Sequence, residues 1–172
     1  MKVKDIASII EKKSPLDLAY SWDNSGLLTG SSEKEVKRVY ITLDADIYSV
    51  KEAINNNCDM IISHHPIMFG GIKKITDDTP EGKVIGLLLK NDIALYASHT
   101  PTDVADGGLN DILAEKLGIK QLEIIEKNDK YSGCGLGRIG NIPESVTAAQ
   151  FCETVKKALN TPFVRLSGDP SA

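Results

Sequence analysis

Four residues of this chain combine type and spacing in a way that could do chemistry: His64, His65, His99 and Asp103. They include all three histidines, and each histidine ends a short apolar run. Met60 to Ser63 leads into His64-His65-Pro66, and Ile93 to Ser98 leads into His99-Thr100-Pro101-Thr102-Asp103. Imidazole is the commonest neutral metal ligand and the usual proton carrier near neutral pH. In open α/β sheets, ligands bind just beyond the carboxyl ends of the strands. Adjacent residues of a regular strand point to opposite faces. At a strand end the backbone can leave the pleat, and Pro66 holds His65 in an extended pose. One histidine for each of two metals is then the natural use of the pair, and His99 with Asp103 offers a second segment of donors. Imidazole with carboxylate suits zinc, iron, manganese or nickel. Two such ions roughly 3.5–4 Å apart could activate a water and clamp substrate oxygens. A single histidine at a strand end is more often a hydrogen-bonded structural residue. Two converging segments favour the metal site.

The elements that must position these residues alternate along the chain. Apolar spacing at Ile6, Ile9 and Ile10 predicts a first helix, stopped near Ser14-Pro15. A turn-rich passage covers 22–30. A strand is expected over 39–43 with a polar stop at Asp44, then a helix capped by Asp46 and running to about Asn55. The second strand, 59–63, ends at the histidine pair. A loop over 66–78 precedes a helix opened by Thr79-Pro80-Glu81 and reaching Lys90. The third strand is 93–98, and Asp106 precedes a helix through Leu117, stopped by Gly118. This order predicts an α/β fold, a mostly parallel sheet covered by helices on both faces. Beyond it, a strand over 121–126, a helix over about 145–159 and a last strand over 163–166 are expected.

Other features carry less. Gly133 to Gly140 alternates glycine with other residues, but the third glycine of a phosphate loop and a following helix start are both lacking. A tight strand or bulge with close backbone approach is the better reading. Asp44 stands on the same predicted edge as the histidines and could orient an imidazole. Trp22-Asp23-Asn24 reads only as a structured turn. Cys58, Cys134 and Cys152 are odd in number and widely spaced, as reduced thiols would be.

The chain has 172 residues and a formal net charge of −4, with 41% hydrophobic and 26% charged residues. Such a composition belongs to an ordinary globular protein with a substantial core. Lysine and arginine are scattered, so no nucleic-acid footprint exists. The apolar runs are far too short for a membrane span, and the polar start Met1-Lys2-Val3-Lys4-Asp5 is unlike a secretory signal. The expected setting is cytoplasmic.

Six segments occur in an order that adds up to a family resemblance: Trp22-Asp23-Asn24-Ser25-Gly26-Leu27, Thr42-Leu43-Asp44, Ile61 to Phe69 around Ser63-His64-His65-Pro66, Ala97 to Asp103, Gly107-Gly108-Leu109-Asn110-Asp111, and Gly135 to Gly140. Together they resemble the GTP cyclohydrolase 1 type 2 homologue family, the Nif-three-like dinuclear-metal proteins, over essentially the whole chain. The resemblance implies a toroidal hexamer of α/β subunits with a two-metal site facing an inner cavity. His64 and His65 would each bind one metal, Asp103 would be a further ligand, and His99 would lie beside the site as candidate acid/base. The activity attached to the family name implies a metal-dependent hydrolase in which a metal-bound water attacks a small, nucleotide-like substrate. A non-enzymatic metal-binding or regulatory partner protein and a two-metal phosphoesterase are the alternatives.

The family completes its site with a histidine and a glutamate four residues apart near its carboxyl terminus. No histidine follows His99 here. The resemblance therefore implies one Nif-three-like domain over 1–172 that lacks the second half of the family fold. The metal-site half would occupy 1–125, and 126–172 would begin an incomplete second half.

Overall fold

The computed structural model describes residues 1–142 and 146–172. They fall into two compact units, Met1–Ala105 and Asp106–Ala172. In the first, helix α1 (Val3–Glu11) precedes strand β1 (Gly26–Thr29), strand β2 (Val39–Asp44), helix α2 (Ile47–Asn55) and strand β3 (Met60–His65). Helix α3 (Pro80–Lys90), strand β4 (Ala94–Ala97) and the short helix α4 (Thr100–Val104) complete it.

The four strands form one sheet in the order β1-β4-β3-β2. β2, β3 and β4 run parallel, with Met60 opposite both Val39 and Ala94. β1 is antiparallel to β4, pairing Gly26 with Ala97 and Leu27 with Tyr96. The sheet is thus mostly parallel, as expected, with a reversed edge strand inside the passage read as turn-rich. Gly30 shows what that edge requires. Its φ is +90°, and a Cβ there would stand 2.8 Å from the Ala94 Cα, so only glycine lets the strand leave so close to β4.

Both sheet faces are covered. Ile61 and Leu95 pack with Val50 and Ala53 of α2 and with Val84 and Leu88 of α3. The alternate residues Met60, Ala94 and Tyr96 pack with Val3, Ile6 and Ile10 of α1 on the other face. This period-2 division of the strands is why they read as nearly unbroken apolar runs. The helix starts follow local chemistry. The Asp46 carboxylate accepts from the Tyr48 and Ser49 N–H groups at 3.0 and 2.8 Å. The Thr79 hydroxyl accepts from Gly82 N–H at 3.1 Å, with Pro80 in the first turn.

The second unit holds helix α5 (Leu109–Lys116), an antiparallel pair of strands β5 (Lys120–Lys127) and β6 (Gly135–Asn141), and helix α6 (Ala148–Leu159). β6 confirms the glycine alternation as a tight strand. A Cβ at Gly135 would meet the Glu126 carbonyl oxygen at 2.3 Å. The Arg138 guanidinium pairs with both oxygens of Asp111, Nε–Oδ1 at 2.5 Å and Nη2–Oδ2 at 2.8 Å, tying β6 to α5. α5 begins at Leu109 rather than just after Asp106, because Gly107 adopts a positive φ and Gly108 is the extended cap. α6 starts at Ala148, capped by Thr147 together with Gln150. Ser145, where its beginning was expected, lies outside the described residues. The strand expected over 163–166 does not form; those residues are irregular, and Phe163 is exposed. A strand needs a neighbour to satisfy its backbone, and Phe163–Leu166 has no strand partner among the described residues.

Candidate metal centre

Parallel pairing brings the carboxyl ends of β2, β3 and β4 to one edge of the sheet. Asp44 stands opposite His65, and Ser63 opposite Ala97. Because β1 is antiparallel, its amino end reaches that same edge, with Gly26 opposite Ala97. The chain just before it, Asp23 to Ser25, therefore arrives beside His99. Asp23, Asp44, the histidine pair, His99 and Asp103 are drawn from four segments and all belong to the first unit.

The three imidazoles converge. Ring centroids lie 4.9 Å apart for His64 and His65, 5.2 Å for His64 and His99, and 5.6 Å for His65 and His99. One ring nitrogen from each can be chosen so that all three lie within 4.8 Å of one another, a grouping able to hold a metal ion. His64 and His65 are the last two residues of β3, and His65 still pairs with Asp44, so the strand ladder is intact where the rings approach each other. The Ser63 hydroxyl donates to the His65 carbonyl at 2.8 Å.

Each ring is also held from behind through Nδ1. His64 Nδ1 lies 3.0 Å from the Ser98 carbonyl oxygen, His65 Nδ1 2.7 Å from Asp44 Oδ1, and His99 Nδ1 2.9 Å from Asp23 Oδ1. A carbonyl and ionised carboxylates only accept, so the neutral rings carry their proton on Nδ1. That leaves the Nε2 lone pairs for an ion. Outer acceptors of this kind fix the tautomer and ring orientation of metal-binding histidines. The part expected of Asp44 is thus what its carboxylate does for His65.

Asp23 is the residue that sequence reasoning missed. Its side chain is fully buried. Oδ1 accepts from the Asn24 N–H and from His99, while Oδ2 accepts from the Ser25 hydroxyl and from both the N–H and the hydroxyl of Thr100. Burial alone would push its pKa up. The hydrogen bonds from Thr100, His99 and Ser25 outweigh that and hold the carboxyl below its usual range. The available signal was the tripeptide Trp22-Asp23-Asn24, which names no partner by itself.

Asp103 lies one helical turn beyond His99 on α4. Its Oδ1 is 3.7 Å from His64 Nε2, too far for a hydrogen bond. Burial raises its pKa most, opposed by the three histidines and assisted by the negative charge of Asp23. A carboxyl so placed is stabilised as an anion by a nearby cation. The group able to hold an ion consists of the three imidazoles, without Asp103, and such nitrogen donors fit a divalent first-row ion.

The chain as a whole has known relatives. The Duf34/NIF3 (NGG1p interacting factor 3) family model matches residues 1–172. A Clostridium acetobutylicum protein named GTP cyclohydrolase 1 type 2 homolog is 38% identical over 170 residues, covering 98% of this chain and 63% of the relative. A Bacillus subtilis protein of the same name is 43% identical over 122 residues, 71% of this chain and 33% of that protein. A Staphylococcus aureus crystal structure aligns over 99% of this chain and 69% of its own with a TM-score of 0.90 at 29% identity. A Bacillus cereus protein related to NIF3 aligns over 99% of this chain and 74% of its own, with a TM-score of 0.90 at 27% identity. The chain spans just under two thirds of the length of the Clostridium relative. Among the described residues no helix is long and apolar enough to cross a membrane.

Proposed function

The chain belongs to the Duf34/NIF3 family, and on that premise we propose that it binds divalent metal ions through His64, His65 and Asp103 to hydrolyse a small, nucleotide-like substrate. One observation carries this reading: three imidazoles converge at the sheet edge, each with Nδ1 held by an oxygen acceptor. An ion bound there supplies Lewis acidity and lowers the pKa of a coordinated water toward about 7. The protein's own part is to hold donors and move a proton. His64 and His65 bind through Nε2, and Asp103 adds a negative charge. His99, steadied by Asp23, keeps an Nε2 lone pair that can accept a proton at the edge of the site. The relatives' shared name points to GTP, whose ring opening releases formate from the guanine C8. Two ions of zinc, iron, manganese or nickel, a ring-shaped hexamer and a cytoplasmic setting belong to the same proposal. The second ion requires donors beyond these four residues.

Metal titration of the 172-residue chain and of His65→Ala, with formate release from GTP followed in parallel, tests it. The expected result is metal bound by the parent chain and lost from the variant. A metal-loaded protein that releases no formate removes GTP as substrate. A parent chain that takes up no divalent ion removes the whole reading. A second reading has one observation in its favour: among the described residues only one group of three metal-capable side chains occurs. One ion held by three histidines suits metal binding for regulation of a partner, and it requires stoichiometric metal with no turnover across a panel of nucleotides and phosphoesters.

A further inference from the structure

Two aromatic side chains at the histidine cluster are left in water, against the usual preference of large aromatic rings for burial. Trp22, the chain's one tryptophan, is 56% exposed, and Phe69 is 54% exposed. Their ring centroids are 6.4 Å apart with planes 35° from each other. Both rings meet His99 edge to face, Trp22 at 6.0 Å and 74° and Phe69 at 5.7 Å and 72°. Tyr20 lies behind the indole, nearly parallel at 11° and 5.7 Å away. The two loops that carry the rings are pinned together, since the Asn24 side-chain amide donates to the Met68 carbonyl at 2.8 Å.

We infer that Trp22 and Phe69 form a stacking platform for a planar heteroaromatic ring of the ligand, placed beside the histidine cluster. This deepens the proposed reading of the same site and rests on it. A tryptophan backed by a second parallel ring offers a stiff, flat surface, and a tilted phenylalanine beside it makes a shallow corner. Offset stacking works at ring separations of roughly 4.5–7 Å, the spacing these rings already keep among themselves. Stacking needs no particular pattern of donors and acceptors, because every base has a π-face. The platform thus selects flat, unsaturated rings over sugars and acyclic chains. His99 touches both rings, so a ligand lying on them sits next to the metal-binding edge without displacing an imidazole.

The test is titration of guanosine, with ribose 5-phosphate as the ring-free control, into the metal-loaded and the metal-free chain. The expected result is quenching of the single indole's fluorescence by guanosine and none by ribose 5-phosphate. By calorimetry, Trp22→Ala and Phe69→Ala should each weaken guanosine binding on the order of 10- to 100-fold. Metal stoichiometry should stay unchanged, and Trp22→Phe should recover most of the loss. Guanosine binding that is indifferent to both substitutions overturns the inference, as does absence of guanosine binding in both states of the parent chain. Loss of metal in Trp22→Phe and Phe69→Leu would assign the rings a purely structural part and overturn it too. If guanosine binds through Trp22 while no metal binds, the platform stands and the metal reading falls. If metal binds and guanosine does not, the outcome is reversed.

Discussion

Replacing Asp23 by asparagine changes one atom of a fully buried carboxylate and should disturb both stability and the proton-accepting state of His99. The carboxylate oxygens accept five hydrogen bonds, two from backbone N–H groups, two from hydroxyls and one from His99. An amide has one acceptor oxygen and one donor nitrogen. With the nitrogen at the Oδ2 position, the Ser25 and Thr100 hydroxyls can turn to accept, but the Thr100 N–H faces a donor. With the nitrogen at the Oδ1 position, both the Asn24 N–H and His99 Nδ1 face a donor. His99 can then adapt only by moving its proton to Nε2, which removes the lone pair at the site. Either way at least one buried donor is stranded, at about 1–3 kcal/mol. At roughly 2–4 °C per kcal/mol for a chain of this size, the melting temperature should fall by about 2–12 °C. Because His99 lies beside the metal in the proposed reading, affinity for an ion held by His64, His65 and Asp103 should stay nearly unchanged, whereas an ion held by all three histidines would bind roughly 10- to 100-fold more weakly.

The pH dependence gives the same substitution a second signature. Asp23 has a folded pKa below the unfolded value of about 3.9. Its contribution is therefore present above that value and lost as pH falls through the depressed folded pKa. Thermal scans of the parent and Asp23→Asn from neutral to acidic pH should converge at the low end. Parallel curves with equal melting temperatures throughout would refute the account of Asp23 as a charged hub.

Three further outcomes follow from the geometry. Asp44→Ala removes the acceptor that holds His65 Nδ1 at 2.7 Å and should lower metal affinity by about 10- to 100-fold; competition with a chelator measures it, and an unchanged affinity sinks the orienting role. His99→Ala should retain bound metal while turnover falls by on the order of 10²–10⁴; loss of metal as severe as in His65→Ala would make His99 a ligand instead of a proton carrier. Tyr96 is 1% exposed, and burial, then its hydrogen bond to Glu11 at 3.0 Å, raises its pKa above the ordinary tyrosine value. Stability should hold below about pH 10 and decline as pH rises from there toward the folded pKa, because the unfolded chain ionises first. Urea midpoints of the parent and Tyr96→Phe across that range test the sign, and a parent that gains stability there contradicts it.

Much of the first unit is legible in the sequence because its signals are local. β2, β3 and β4 are short apolar runs with polar ends, α2 announces itself through Asp46, and α3 through Thr79-Pro80. Once those strands are parallel, their carboxyl ends must share an edge, so His64, His65 and His99 are brought together by topology alone. Asp44 follows by the same logic, as the last residue of the neighbouring strand. The second unit shows where local reading fails in the other direction. Phe163 to Leu166 has strand-like residues but no strand partner among the described residues, and without one the pattern specifies nothing.

Asp23 was illegible for a reason that also explains how the site is built. Its partners His99 and Thr100 lie 76 and 77 residues further along the chain, and no periodicity links segments so distant. The connection exists only because β1 runs against β4, which delivers the beginning of one strand to the end of the other. Glycine makes that reversal possible: the Gly30 backbone passes so close to Ala94 that a side chain would collide. A parallel edge strand would have carried its amino end, and Asp23 with it, to the opposite side of the sheet. The acceptor for His99 thus stands just before the reversed strand, while the acceptor for His65, Asp44, ends a parallel one. Each ring is held from a segment other than its own, His64 by Ser98, His65 by Asp44 and His99 by Asp23, so displacing any one segment leaves at least one ring still held.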